Sequence, residues 1–434
     1  MPKLPTLRDA ARIGVVATCL TVVAACGAAQ TQPRGQPTES PYLLLFAGDE
    51  DGAESDFFAV VDVRGESPDL GKVIATTPIG MKMAMPHHME YSLPPAGELL
   101  FANAHHHEKS FLLDVSNPRS PRIVKSFDPP PPFRFPHDYY RTPTGTRLVG
   151  FLRSEGADPD PSAKETPGNH GGIAEYSADG RLLRTASAAV AGLKQAVRPY
   201  AFALRADIDR LVVTSAPMME DSSADVIQIY RYSDFTLLKT IALTPGSANG
   251  RVIVGSERAG FGPRILNDGS VFLNSYGCAF YRLSDIGAEN PTLETLFALE
   301  TPEPKPDEIR GSCGIPIVFD HFWLMPAGQL NALVVLDISD AAKPREVSRL
   351  PTPPTFRPHW LARDPKSDRL VLGAELGGEE GVYVLRFDPA TGRASFDETI
   401  RGAGQAGYIS LKNQSWPHGA SGPAWAHAAL FMPQ

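Results

Sequence analysis

Pro86-His87-His88-Met89-Glu90 is the stretch around which this chain is organised, because weaker copies of its Pro-X start return about every 50 residues. The copies are Pro136-His137, Pro199-Tyr200, Pro263-Arg264, Pro316-Ile317, Pro358-His359 and Pro417-His418. Each precedes a short apolar segment, a turn rich in Asp, Gly or Pro, and a strongly β-prone run, which together read as a β-hairpin. Third and fourth strands follow in every unit but the last, for example 110–115 with 122–127 and 332–338 with 346–350. The missing pair lies at the other end of the chain, at 57–63 and 72–77. This pattern predicts an all-β fold, a seven-bladed β-propeller over residues 42–434 whose last blade is closed by N- and C-terminal strands. Segment 42–48 is one strand more than the count requires. The sequence leaves open whether it or 426–432 takes the second position in the shared blade.

Two units align without a gap, 111–127 and 334–350. They share Leu113 with Leu336, Asp114 with Asp337, Ser116 with Ser339, Pro121 with Pro344 and Arg122 with Arg345. The pattern resembles a propeller repeat in which a strand ending in Leu-Asp-Ile-Ser is followed by Pro-Arg and an outer strand. Asp114 and Asp337 are therefore read as turn formers and not as catalytic acids.

The chain of 434 residues is 42% hydrophobic and 21% charged, enough apolar material for a large core. A net charge of -8 without a concentrated basic face argues against a nucleic-acid partner and for small molecules or proteins. No Gly-rich phosphate loop, Gly-X-Ser-X-Gly elbow or Cys-X-X-Cys zinc knuckle is present.

Lys3, Arg8 and Arg12 followed by the apolar run 13–25 read as a signal peptide over residues 1–25, too short to span a bilayer as a mature helix. The run ends in Val23-Ala24-Ala25-Cys26-Gly27, which resembles a bacterial lipobox. The resemblance implies lipidation at Cys26 and an extracytoplasmic, membrane-anchored domain in the cell envelope. Residues 26–41, rich in Gln, Pro, Thr and Gly, read as a flexible tether. Export implies an oxidising compartment, in which Cys278 and Cys313 are expected to form a disulfide between adjacent blades.

The Pro-X positions should ring one mouth of the central channel: His87 or His88, His137, Tyr200, Arg264, Ile317, His359 and His418. Four are histidine, and these four become neighbours once the last blade closes. Neutral imidazoles converging on one axis are suited to copper, iron or zinc, so His87, His88, His137, His359 and His418 are candidate metal ligands. Glu90, two residues beyond His88 on one strand face, is a candidate to orient an imidazole, or to pair with an arginine such as Arg198, Arg264 or Arg357. His105, His106, His107 and Glu108 end a second strand near His87 and read as a polar loop at the entrance. Loop 154–170 reads as a lid or a passive insertion, and Met218 and Met219 as surface packing.

The runs PHHMEYSLPPAGELLFAN, RPHWLARDPKSDRLVLGA and WPHGASGPAWAHAALF resemble the selenium-binding protein and methanethiol oxidase family. The resemblance implies a histidine-bound copper and oxidation of a small thiol by dioxygen, with His87 or His88, His137, His359 and His418 as ligands. The family's cysteine-rich N-terminal stretch is missing, since no cysteine falls in 27–277. The leading expectation is an oxidoreductase on a small-molecule substrate with copper, or alternatively iron, in which Glu90 and Tyr200 assist as proton or orienting groups. The competing expectation is a non-catalytic module that presents its loop face to an envelope protein. A calcium-dependent lactonase would need carboxylate and amide ligands that the Pro-X ring does not supply.

Overall fold

The computed structural model describes residues 39–155, 169–218, 222–248, 251–252, 259–302, 313–375 and 380–433. The signal segment, Cys26, most of the tether, Met219 and all but the ends of loop 154–170 lie outside the described residues.

Seven antiparallel sheets of four strands form a β-propeller, and a fifth strand, Tyr408–Ser410, joins the sixth sheet. The innermost strands of blades 1 to 6 are Pro86–Met89, Phe133–Arg141, Pro199–Arg205, Arg264–Ile265, Ile317–Phe319 and Pro358–Arg363. Four of these contain a Pro-X pair read from the sequence, and the other two begin at the second residue of theirs. Helical structure among the described residues is limited to short 3-10 turns at Ala206–Ile208 and Gly328–Leu330.

The second and third strands are buried along almost their whole length, whereas outermost strands such as Arg122–Phe127 alternate towards solvent. This gradient follows from blade-on-blade packing, which covers both faces of the middle strands. Asp114 and Asp337 cap the turns leading to outer strands. Each accepts from the N–H two residues on, Ser116 at 3.0 Å and Ser339 at 2.9 Å, and pairs with Arg122 or Arg345.

The seventh blade differs from expectation. Its strand order from the axis outward is Ala424–Met432, Tyr42–Asp49, Phe57–Asp62 and Val73–Pro78. The C-terminal run is thus the innermost strand, and the surplus strand at the N-terminus takes the second position. Pro417-His418 does not start a blade, because it lies in a short hairpin between Gln414–Ser415 and Ser421–Gly422. The nine-residue run AWAHAALFM, nearly all buried, competes better for the axis because it hides more apolar surface.

Glu39 and Ser40, just ahead of the first strand, are bonded to blade 6. Ser40 is buried, its N–H and hydroxyl bonded to Asp364 at 3.0 and 2.5 Å, and its carbonyl accepts from Arg369. Glu39 pairs with Arg369 and Arg386. This network ties the start of the domain to blade 6.

Cys278 and Cys313 are disulfide-bonded, with Cα atoms 5.2 Å apart and a sequence separation of 35. The bond links the turn after the second strand of blade 4 to the segment entering blade 5. Closing a loop of this length is expected to stabilise the domain by about 3 to 4 kcal/mol. The Cys278→Ser, Cys313→Ser double variant should show that loss in urea unfolding, and an unchanged midpoint would refute it.

Candidate metal centre

The inner strands share a local irregularity that aims side chains at the axis. In blade 1 the ladder pairs Pro86 with Ala104 and then Met89 with Ala102, leaving His87 and His88 outside regular pairing. In blades 2, 3 and 6 it shifts likewise, around His137, Tyr200 and His359. In blade 7 it shifts between Ala428 and Ala426, so that the residue in between, His427, stands free. A bulge re-aims the side chain it releases, and here it does so at one height of the channel. Proline is tolerated at these starts because an inner edge strand has no ladder partner on the axis side. Met85 and Phe135, immediately before Pro86 and Pro136, have φ of 57° in both cases, a conformation costly for large side chains.

The result is a buried cluster of imidazoles. His87 Nε2 lies 3.2 Å from His137 Nε2. Ring centroids are 4.2 Å apart for His87 and His88, 4.5 Å for His87 and His427, 4.3 Å for His88 and His137, and 4.8 Å for His359 and His427. His87, His88 and His427 each offer a nitrogen within 4.8 Å of the others, a set that could hold a metal ion. Imidazole nitrogens without carboxylates suit copper, iron or zinc and not calcium.

Six ring nitrogens, on His87, His88, His359 and His427, have no hydrogen-bond partner among the described residues. Buried polar atoms are nearly always paired, so this concentration marks a place built for something further. Two imidazoles are oriented by backbone: His137 Nδ1 lies 3.0 Å from the Tyr200 carbonyl oxygen and His427 Nδ1 3.1 Å from that of Ala374. A carbonyl only accepts, so each Nδ1 carries the proton and each Nε2 keeps its lone pair for the cluster.

Burial drives the basicities of His87, His88, His137 and His427 well below the usual histidine value, with neighbouring imidazoles adding to the effect for each. His359 is lowered by burial too, and His105, 5.7 Å from His87, is brought down to about 4. The same burial pushes Asp138, beside His88, up to about 7.

Aromatic rings wall the cluster. Tyr200 stands 4.0 Å from His137 and 4.1 Å from Phe261, and Trp360 lies 5.4 Å from His88 with its indole N–H donated to Ala429 at 2.8 Å. The Tyr200 hydroxyl is buried without a partner among the described residues.

Of the residues singled out from the sequence, the fold brings together His87, His88, His137, His359 and Tyr200. His418 is apart from them: it is half-buried, bonded to Thr76 at 2.8 Å and packed against Phe57. His427, which the sequence reading did not single out, occupies the position expected for His418. Glu90 does not orient an imidazole through any described contact. Its carboxylate accepts the Phe101 N–H at 3.0 Å and pairs with Arg141 at 2.5 Å and Arg147 at 3.3 Å, neither of them the expected arginines. His106 and His107 are exposed and bond to backbone carbonyls, whereas His105 is buried against the cluster. Met218 packs on the core. His427 was visible as the Ala-His-Ala of the last strand, and the surplus strand at 42–48 was the signal that this strand, not Pro417-His418, is innermost.

Residues 327–352 match the LVIVD repeat family. No curated protein sequence matches the chain. Among solved structures, a hypothetical selenium-binding protein from Sulfolobus tokodaii superposes with a TM-score of 0.67 at 14% identity, covering 91% of this chain and 95% of its own. A periplasmic gluconolactonase from Pseudomonas aeruginosa gives 0.54 at 15% identity, covering 89% and 99%. A putative 6-phosphogluconolactonase from Bacteroides fragilis gives 0.55 at 10% identity, covering 86% and 97%. The likeness is one of fold, shared by proteins with different names.

Unfolding returns each imidazole to its ordinary value of 6.5, so below that pH the unfolded chain binds protons that the folded chain refuses. Stability of metal-free protein is therefore full above pH 6.5 and falls in acid by about 1.4 kcal/mol per pH unit for each such histidine. Equal urea midpoints at pH 7.5 and 5.5 would contradict this. A Cβ on Gly373 would sit 2.2 Å from the His427 carbonyl oxygen, whereas one on Gly65 meets nothing within 4 Å. Gly373→Ala should cost about 1–3 kcal/mol in urea unfolding while Gly65→Ala stays close to wild type.

Proposed function

We propose that this protein is a metal-dependent oxidoreductase acting on a small substrate at the channel mouth, with copper favoured and iron as the alternative. The observation that carries the reading is the set of six unpartnered nitrogens on four buried, neutral histidines. His87, His88 and His427 would hold the ion, with His137 beside them and His359 next to His427. A histidine-bound copper supplies a one-electron couple and an open position for a small reductant such as a thiol and for dioxygen.

The chain's own residues serve that chemistry in three ways. The carbonyls of Tyr200 and Ala374 fix the tautomers of His137 and His427, so the ligand lone pairs are in place before metal arrives. Tyr200, Phe261 and Trp360 keep bulk water from the cluster, which favours a small, weakly hydrated substrate. The Tyr200 hydroxyl, buried without a partner among the described residues, is assigned to hydrogen-bonding the substrate. Glu90 acts at a distance, as the anion that holds Arg141 and Arg147 behind the His88 strand.

The proposal includes an extracytoplasmic protein anchored through a lipid on Cys26. The Cys278–Cys313 disulfide supports this, because such bonds persist in oxidising compartments.

One contact favours the second reading, a binding module with structural histidines. The 3.2 Å approach of His87 Nε2 to His137 Nε2 is itself a hydrogen bond in the right tautomers and needs no metal.

Metal content by mass spectrometry separates the two. Wild-type protein prepared without chelator should carry close to one copper or iron per chain. His87→Ala and His427→Ala should lose it, and His418→Ala should keep it. Oxygen uptake with small thiols then tests the reaction. Wild-type protein that binds neither metal after reconstitution would leave the binding module as the function.

A further inference from the structure

His88 differs from the other oriented imidazoles in what faces its Nδ1. His137 and His427 each turn that nitrogen to a backbone carbonyl, at 3.0 and 3.1 Å. His88 turns it to a carboxylate, with Asp138 Oδ1 at 3.8 Å, and both side chains are wholly buried. Asp138 directly follows His137, so the bulge that delivers one ligand of the cluster also places an anion behind another.

Asp138 is held on its other side. The Tyr91 phenol lies close by and the Arg264 guanidinium attracts it. Arg264 lies 4.8 Å over the Tyr91 ring and donates to the carbonyls of Pro263 and Pro316 at 2.8 and 2.6 Å. An isolated carboxylate would not be kept in such a place. It stands between a cation and an imidazole that has neither nitrogen bonded to any other group among the described residues.

We propose that Asp138 is a positioning residue of the metal centre: its carboxylate takes the Nδ1–H of His88, which leaves Nε2 as the metal-binding atom. This rests on the metal-centre reading above. A carboxylate behind a ligand imidazole fixes tautomer and ring orientation and makes the nitrogen a stronger donor than a carbonyl partner does. His88 is then the most basic ligand of the set, and the Arg264 charge favours the carboxylate on its other side.

The test uses the full chain loaded with copper(II), comparing wild type with Asp138→Asn, Asp138→Ala and Asp138→Glu. Affinity is measured by competition with a chelator, and the coordination sphere by electron paramagnetic resonance. Asp138→Asn keeps the volume but removes the charge, and should weaken copper roughly 10- to 100-fold with altered hyperfine splitting. Asp138→Ala should do the same, and Asp138→Glu should recover part of the affinity. A wild-type spectrum and affinity in Asp138→Asn would overturn the proposal. If the variants fail to fold, histidine nitrogen NMR of the zinc-loaded wild type decides: a His88 proton on Nδ1 supports the assignment and one on Nε2 refutes it. Wild-type protein that holds no copper, iron or zinc would remove the metal centre itself, and the role of Asp138 with it.

Discussion

The backbone ladder between Tyr42–Asp49 and Ala424–Met432 is the constraint on which the rest depends. It pairs the two ends of a domain of nearly 400 residues and converts seven sheets into a closed ring. Without it the blade between them would lack its inner strand, and the neighbouring inner strands would lose a wall of the channel. Its one irregularity, the shift beside His427, places an imidazole where the other bulged strands place theirs. Ring closure and site assembly are one event.

A second constraint follows from how tightly the inner strands meet. The Asn103 side chain accepts the His88 N–H at 2.7 Å and donates to the Pro136 carbonyl, so it links the bulges of blades 1 and 2. At the matching place on blade 6, Gly373 leaves room for the His427 carbonyl instead. Both devices hold neighbouring bulges at one level, and converging ligands require that. The cost is visible in the positive φ of Met85 and Phe135, strain that surrounding packing must sustain.

The electrostatics are those of a cage kept neutral. Five imidazoles share a space too dry and too crowded for any of them to hold a proton easily, so their lone pairs stay available. Charged groups are kept a layer out, where Glu90 meets Arg141 and Arg147, and Asp138 meets Tyr91 and Arg264. A cation at the centre would therefore meet donors first and compensating carboxylates behind them.

By itself the sequence determined the repeat, the number of blades and four residues of the imidazole cluster, because strand periodicity and the Pro-X starts are local properties. His87, His88, His137 and His359 could be named from position alone, and the pairing of Asp114 and Asp337 with turns could be read from two aligned units. Only the tertiary structure decided which C-terminal histidine faces the axis. Pro417-His418 and Ala426-His427 are nine residues apart and both lie beside strand-like runs. The choice between them depends on which run hides more apolar surface once the N-terminal strand has paired. The partners of Glu90 and the place of Asp138 were likewise beyond the sequence. Ion pairs between residues some 50 positions apart form only where neighbouring blades stack, and neither composition nor spacing records how two sheets face each other.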